Sequence, residues 1–185
     1  MNWLLAGAWA LAPAVSAVPA SKTSSTSQSQ KSGAKAAKPS WRYIVIHHSA
    51  TSVGNAARFN VEHLHSGMAN GLAYHFVIDN GTAGRRDGQV ETGSRWTRQL
   101  PGGHCHQAWM NEHGIGICLV GDFSHRSPSP RQMSALVSLV KSLRKRYGIP
   151  IENVCGHGQC PGESTQCPGR AFPWTEFKRR LAQGR

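Results

Sequence analysis

Residues 41–51 read Trp-Arg-Tyr-Ile-Val-Ile-His-His-Ser-Ala-Thr, an apolar, partly β-branched run that ends in two histidines. Because β-branched and aromatic side chains pack well on a pleated sheet, the run predicts a buried strand. The imidazoles of His47 and His48 then lie at the end of that strand, at the rim of the sheet, where water and a substrate can reach them. We expect the rest of the fold to bring reactive partners to this rim.

The strongest candidate partners lie far downstream, in a turn-rich segment over residues 154–169. A catalytic zinc takes three protein ligands and keeps a fourth position open for water, whose pKa it lowers from about 15.7 to about 7. His47, together with His157 and Cys167 of this segment, could supply the three ligands, and the glycines and prolines between them allow the loop to fold back. Spacing alone leaves an alternative open, in which the cysteines of the segment are structural or disulfide-bonded.

Other parts of the chain alternate between strand and helix patterns. Apolar runs predict a second strand over residues 72–78 and a third, central strand over residues 115–121. Helical spacing predicts a helix from residue 55 to about 68 and a last helix over about 175–181. We therefore predict an α/β domain in which a mixed central β-sheet is flanked by helices.

A Ser-Pro-Arg-Gln sequence gives the clearest helix start in the chain. Ser129 is a good N-cap, Pro130 suits the first helical position, and Gln132 completes a capping box. Apolar residues follow at helical spacing as far as Tyr147, and Gly148 ends the helix. This stripe predicts core packing.

Residues 84–103 are rich in glycine and arginine and contain few aliphatic side chains. They predict an irregular surface segment that carries Arg85, Arg86, Arg95 and Arg98. These arginines are a candidate wall for an anionic ligand, although a solvated face is the simpler interpretation.

Length and charge narrow the class of protein. The 185 residues allow one domain with a full core and a tail, which we expect to act as a monomer. The formal net charge of +12 favours an anionic partner or surface, such as nucleic acid, phospholipid or cell-wall polymer. No nucleic-acid-binding motif is recognised, so we do not expect nucleic acid. Of the five cysteines, Cys155 and Cys160 could form a disulfide in an oxidising compartment.

The N-terminal part differs in composition from the rest. Residues 1–20 resemble a secretory signal peptide, with an apolar stretch too short for a stable membrane span and small residues for cleavage. An uncleaved anchor is the alternative, because no basic residue precedes the apolar stretch. Residues 21–40 predict a flexible Ser- and Lys-rich linker, and residues 41–185 predict the active domain. We expect export to the periplasm or the extracellular space.

Four motifs occur in the order seen in one family. They are residues 46–51 (Ile-His-His-Ser-Ala-Thr), 74–78 (Tyr-His-Phe-Val-Ile), 114–123, and Gly156-His157 followed by residues 165–169 (Thr-Gln-Cys-Pro-Gly). From residue 41 to about 174, the chain resembles the zinc-dependent N-acetylmuramoyl-L-alanine amidases of type 2, which include phage lysozyme-type amidases and peptidoglycan recognition proteins. The resemblance implies their amidase fold and hydrolysis of the amide between N-acetylmuramoyl and L-alanine in peptidoglycan or muropeptides. A peptidoglycan-binding module without catalysis is the alternative.

The resemblance also implies roles for individual residues. His47, His157 and Cys167 match the zinc ligands, and retention of Cys167 favours catalysis because recognition-only members typically lose it. Tyr74 matches the catalytic tyrosine, and Thr165 stands where relatives carry Lys or Thr to polarise the carbonyl. Within the predicted second strand, period-two alternation places Tyr74 on the same face as Phe76 and away from His75.

Three further residues are expected to contact the substrate, and one expected group is missing. The substrate-binding candidates are His48, His104 and Asn111, although an ungapped alignment would select His106 in place of His104. Cytosolic muropeptide amidases of this superfamily carry a glutamate base where this chain has Cys118. Either the zinc-activated water and Tyr74 suffice, or turnover is slow.

Overall fold

The computed structural model describes residues 40–183. The predicted signal peptide and nearly all of the predicted linker lie outside the described residues, so these predictions and the domain boundary derived from them stay untested. The strands are β1 (Tyr43–His48), β2 (Phe76–Asn80), β3 (Asp87–Thr92), β4 (Gly114–Leu119) and β5 (Val154–Gly156). The helices are α1 (Ala56–His65), α2 (Ser94–Thr97), α3 (Ala108–His113), α4 (Pro130–Tyr147) and α5 (Trp174–Ala182). Two 3-10 turns, Ile151–Asn153 and His157–Gln159, flank β5.

The strands form one mixed sheet in the order β3-β2-β4-β1-β5. The strand β3 runs antiparallel to β2, and the other neighbours are parallel. The third predicted strand is central, since β4 lies between β2 and β1 and all six of its residues are buried. The predicted mixed sheet with flanking helices is therefore confirmed.

Alternation along β1 divides its side chains between two sides of the sheet. Ile44 and Ile46 join the main core, in which α4 and α5 cover the sheet with side chains such as Leu136 and Phe177. Val45 packs in a separate cluster with Met110 and Cys160. His47, next on this second side, is only 2% exposed. The same strand therefore contributes both to the core and to the site.

The start of α4 follows the sequence prediction. The hydroxyl of Ser129 accepts from Gln132 N, the Gln132 side chain accepts from Ser129 N, and Gly148 ends the helix with φ of 67°. The Gln132 amide also donates to the carbonyls of Ile78 and Val120, at 3.2 and 2.8 Å. A capping residue thus also joins the helix to two neighbouring strands, because its buried N–H groups need acceptors.

The predicted irregular segment over residues 84–103 is wrong in two respects. It contains β3 and α2, and Arg95 is only 7% exposed. The guanidinium of Arg95 donates to the carbonyl oxygens of Leu72 and Pro101, at 2.7 and 2.6 Å. Arg95 therefore stabilises the backbone of two loops and is no part of a wall for an anionic ligand. Sequence composition could not predict the burial of Arg95. Its partners are backbone carbonyl groups, so no acidic residue in the sequence marks it as a buried arginine.

The second predicted strand begins later than expected, at Phe76. Tyr74 precedes the strand and packs with Val77 and Cys118, whereas Phe76 lies in the opposite, main core. The prediction that Tyr74 and Phe76 share a face is wrong, because the alternation holds only for residues inside the strand. Among residues 40–183, none of the helices has the length and apolar character needed to cross a membrane.

Candidate metal centre

The three predicted metal ligands meet at the end of β1. One side-chain atom each from His47, His157 and Cys167 lies within 4.8 Å of the other two. Nδ1 of His47 is 3.9 Å from Sγ of Cys167, and the imidazole centroids of His47 and His157 are 4.5 Å apart. A tetrahedral zinc with bonds of about 2.1 Å to nitrogen and about 2.3 Å to sulfur holds such atoms roughly 3.6 Å apart. The observed spacing is close to that value.

Parallel pairing of β1 with β5 explains how residues so distant in sequence meet. Ile46 pairs with Gly156, so His47 and His157 leave the same edge of the sheet together. The loop then folds back, and Gly158 N donates to the Cys167 carbonyl at 2.8 Å. A Cβ on Gly158 would lie 2.1 Å from the Thr165 carbonyl oxygen. The close approach of these two parts of the loop therefore requires glycine at position 158.

Hydrogen bonding to His104 determines which nitrogen of His47 would be free to bind a metal. Nε2 of His104 lies 3.3 Å from the Gly114 carbonyl oxygen, which can only accept, so this nitrogen carries the proton. Nδ1 of His104 is then an acceptor, and it lies 3.1 Å from Nε2 of His47. His47 consequently keeps its Nδ1 lone pair free, on the side of Cys167. Burial lowers the pKa of His104 to about 3 and that of His47 well below its ordinary value, so both imidazoles are neutral.

The donor set fits Zn²⁺. Neutral imidazole nitrogen and thiolate sulfur are the ligands that zinc prefers in proteins. Burial raises the pKa of the Cys167 thiol to about 11, so a thiolate at this position requires a nearby cation. His48 N donates to Sγ of Cys167 at 3.4 Å and orients the sulfur toward the histidines.

Tyr74 lies beside this cluster. Its ring centroid is 5.1 Å from that of His47. Burial raises the pKa of Tyr74 well above its ordinary value, and the nearby thiols of Cys118 and Cys167 add to the rise. The phenol therefore stays protonated at neutral pH and can donate a hydrogen bond in the site.

Thr165 lies on the exposed rim, two residues before Cys167. Its Oγ1 accepts from Cys167 N at 3.2 Å, so the hydroxyl proton remains free to donate. Both residues line a cavity of about 210 Å³ whose walls include Gln159 and Trp174.

His104, and not His106, lies beside the predicted metal ligands. His104 is 6% exposed and contacts His47, whereas the exposed His106 contributes only its backbone N–H, to Glu163. Asn111 holds the His104 segment, because its Oδ1 accepts from the N–H groups of His104 and Cys105 at 2.8 and 2.9 Å. Any direct contact of His104 or Asn111 with a substrate stays a prediction.

His48, the other expected substrate contact, points away from its neighbour His47. Its Nδ1 accepts from Phe123 N at 3.1 Å, and its ring lies 5.9 Å from the Phe123 ring. Burial lowers the pKa of His48, and Asp122 partly opposes this shift. The ring therefore stabilises the turn after β4, and its role in substrate binding stays a prediction.

Cys118 occupies the expected position of the missing base. It pairs with His47 in the β1–β4 register and is fully buried. Burial raises the pKa of the Cys118 thiol well above its ordinary value, and the neighbouring Cys167 adds to the rise. Cys118 is therefore a neutral group at neutral pH and offers no base for catalysis.

Sequence reasoning missed two residues at the site. Sγ of Cys105 lies 3.2 Å from Nδ1 of His104. Oε2 of Glu163 lies 2.9 Å from Nε2 of His157. The only signal in the sequence was that Glu163, one of nine acidic residues in a strongly basic chain, falls inside the ligand loop.

Comparison with known proteins identifies relatives in sequence and in fold. Peptidoglycan recognition protein 1 of Rattus norvegicus is 32% identical over 152 residues, which cover 73% of this chain and 73% of that protein. The structure of the N-acetylmuramoyl-L-alanine amidase LysC from Clostridium intestinale URNW superposes with a TM-score of 0.66 at 27% identity, covering 77% of this chain and 85% of that one.

A second solved structure shares the fold. Peptidoglycan recognition protein-LE in complex with tracheal cytotoxin gives a TM-score of 0.60 at 24% identity, covering 74% of this chain and 79% of that one. The expected amidase and recognition-protein fold is thus confirmed. A sequence model described as N-acetylmuramoyl-L-alanine amidase matches residues 37–170. Since this match covers more than half of the chain and takes in the three candidate metal ligands, the chain belongs to the N-acetylmuramoyl-L-alanine amidase family.

Proposed function

We propose that the protein is a zinc-dependent amidase that cleaves the bond between N-acetylmuramoyl and L-alanine in peptidoglycan or muropeptides. The observation that carries this proposal is the convergence of His47, His157 and Cys167, whose ligand atoms lie within 4.8 Å of one another. Two relatives add support by name, one an N-acetylmuramoyl-L-alanine amidase and one a peptidoglycan recognition protein.

The side chains of the site divide the chemistry among them. Bound Zn²⁺ supplies a Lewis acid that acidifies water and polarises an amide carbonyl. The protonated Tyr74 hydroxyl donates to the negative charge that develops on the carbonyl oxygen, and Thr165 can add a second, neutral donor. Because the Cys118 thiol stays protonated, it takes no proton from the attacking water. Catalysis without a carboxylate at that position predicts modest turnover.

The same reasoning gives a cellular setting. Peptidoglycan lies outside the cytoplasmic membrane, which agrees with the export expected from residues 1–20. The net charge of +12 favours retention on an anionic wall, largely through long-range attraction. We propose an exported, monomeric enzyme of the periplasm or extracellular space.

The proposal is tested by incubating the purified protein with isolated peptidoglycan and quantifying new L-alanine amino groups. We expect release that stops with a chelator and returns with added zinc. Cys167→Ser should lose zinc and activity together, whereas Cys118→Ser should keep its zinc, since Cys118 is no ligand. Full activity in Cys167→Ser would refute the ligand assignment.

A non-catalytic recognition module is the second candidate function. It is favoured by the likeness to peptidoglycan recognition protein 1 and by the neutral Cys118 next to His47. In that case the protein would sediment with peptidoglycan but create no new amino groups. Binding that is unchanged by a chelator, together with the absence of product, would establish this function in place of the first.

A further inference from the structure

Glu163 lies in the loop that joins the two C-terminal metal ligands, His157 and Cys167. The loop turns sharply there, since Glu163 N donates to the Cys160 carbonyl at 3.2 Å. The side chain is directed inward, and only 8% of it is exposed. A carboxylate so far removed from water requires compensating partners.

One carboxylate oxygen of Glu163 has a hydrogen-bond partner, and the other lies against an imidazole nitrogen. Oε1 accepts from the backbone N–H of His106, and Oε2 lies 2.9 Å from Nε2 of His157. The His106 contact fixes the carboxylate on a second loop, so Oε2 is held against the imidazole. Among the ion pairs within residues 40–183, Glu163 pairs with His157 and with no arginine or lysine.

The contact determines which nitrogen of His157 can serve a metal. Nε2 of His157 is buried and has no hydrogen-bond partner within residues 40–183, and Oε2 of Glu163 is an acceptor that lies only 2.9 Å from it. With its proton on Nε2, the ring would have only the Nδ1 lone pair available for a metal. His47 is in the same tautomer, because its Nε2–H donates to Nδ1 of His104 and its own Nδ1 stays free.

We propose that Glu163 is a positioning residue of the metal centre, which accepts the Nε2 proton of His157 and directs Nδ1 toward the ion. The proposal rests on the proposed function through its assignment of His157 as a ligand. A carboxylate behind a metal-bound imidazole fixes the ring orientation and raises its basicity, and loss of such a partner costs about 10- to 100-fold in metal affinity.

A competing arrangement makes Glu163 a direct ligand. Ligand atoms of Cys105, His157 and Glu163 also lie within 4.8 Å of one another. If an ion were held there, Cys105→Ser would lose it and Cys167→Ser would keep it. The positioning role predicts the opposite result for both variants.

The test measures zinc affinity by chelator competition on the full-length protein without substrate. We expect Glu163→Ala to bind zinc about 10- to 100-fold more weakly than the wild type. Glu163→Gln should lose less, because its amide oxygen can still accept the Nε2 proton. Glu176→Gln is the matched control, since Glu176 is an exposed partner of Arg179 in α5, and its zinc affinity should not change.

A spectroscopic readout separates positioning from folding. Glu163→Gln is nearly isosteric, so it reports on the contact even if Glu163→Ala folds poorly. With Co²⁺ in place of zinc, the visible bands of Glu163→Gln should keep tetrahedral intensity but require more metal to saturate. Wild-type affinity in both Glu163 variants would overturn the proposal.

The zinc-affinity test of Glu163 is independent of the test of amidase activity, because no step of it uses a substrate. A protein that loses zinc on Cys167→Ser and weakens on Glu163→Ala, but releases no peptide, would support the positioning role and refute catalysis. If His157→Ala and Cys167→Ser both bind zinc like the wild type, the ligand assignment fails and the role of Glu163 fails with it.

Discussion

Nδ1 of His104 lies 3.1 Å from Nε2 of His47, and both side chains are almost completely buried. The Gly114 carbonyl fixes the tautomer of His104, and His104 in turn fixes that of His47. We expect His104→Ala to lower zinc affinity by about 10- to 100-fold, because it removes the acceptor behind a ligand. His104→Asn should retain more affinity, since its amide oxygen can occupy the place of Nδ1.

Zinc competition measures this difference between the two His104 variants. His65→Ala is the control, because His65 is exposed at the end of α1. Equal affinity of His104→Ala and the wild type would show that the contact between the two imidazoles does not organise the site.

Tyr74 is predicted to contribute to the catalytic rate and not to zinc binding. Its protonated hydroxyl lies beside the ligands, and removal of one donor to a developing oxyanion typically costs about 10²- to 10³-fold in kcat. We therefore expect Tyr74→Phe to lose activity on peptidoglycan by this amount and to keep its zinc. Tyr43→Phe, which alters a ring packed against Trp109 outside the metal cluster, should leave the rate unchanged. A simultaneous loss of zinc in Tyr74→Phe would assign the tyrosine to metal binding.

The sequence predicted most of the fold because its signals were local. The apolar run of β1, the central β4 and the capping box of Ser129 each depend on neighbouring residues, and each appears as expected. The sequence also singled out His47, His157 and Cys167 as candidate metal ligands, and the structure brings these three residues together.

The remaining features depend on contacts between distant residues. Composition marked Arg95 as a surface charge, but carbonyl groups from two loops accept its hydrogen bonds and bury it. Glu163 gave no periodic signal, because its position follows from the fold of an irregular loop against His106. Gly116 is a similar case, since a Cβ there would lie 2.3 Å from the His104 ring, a requirement visible only in three dimensions.

The thiols of Cys155 and Cys160 are free in the structure, with their sulfur atoms 3.7 Å apart. They flank His157, and we expect them to form a disulfide in an oxidising compartment. Closing so short a loop would raise the free energy of unfolding by about 2 kcal/mol. Thiol counting on oxidised, unfolded, metal-free protein should then find three free thiols among the five cysteines.

Peptide mapping identifies which sulfur atoms are joined. Cys160→Ser is the informative control, because it should restore the free thiol of Cys155 without changing that of Cys118. Five free thiols after oxidation would remove the prediction. A link between Cys105 and Cys160 would replace it with a different pairing.

Asp79 predicts how stability depends on pH. Its carboxylate is fully buried, and neither oxygen has a hydrogen-bond partner within residues 40–183. Burial raises the pKa of Asp79 from 3.8 to about 7, and the Glu91 carboxylate adds to the rise while Arg85 opposes it. Since the pKa is higher in the folded protein, this group stabilises the fold fully below about pH 4, and that stabilisation is lost as the pH rises toward 7.

Asp79→Asn removes this ionisation. Relative to the wild type, we expect the variant to gain stability as the pH rises from about 5 to about 8, by about 1–3 kcal/mol, because an ionised, unpaired carboxylate no longer has to be buried. Urea unfolding at both pH values measures the difference. Asp122→Asn is the control, since a hydrogen bond from Ser124 N lowers the pKa of that half-buried carboxyl and its titration is complete below this range. A constant difference between the free energies of unfolding of Asp79→Asn and the wild type, from about pH 5 to about pH 8, would contradict the prediction. That result would show that Asp79 is already ionised, with a partner that compensates its charge.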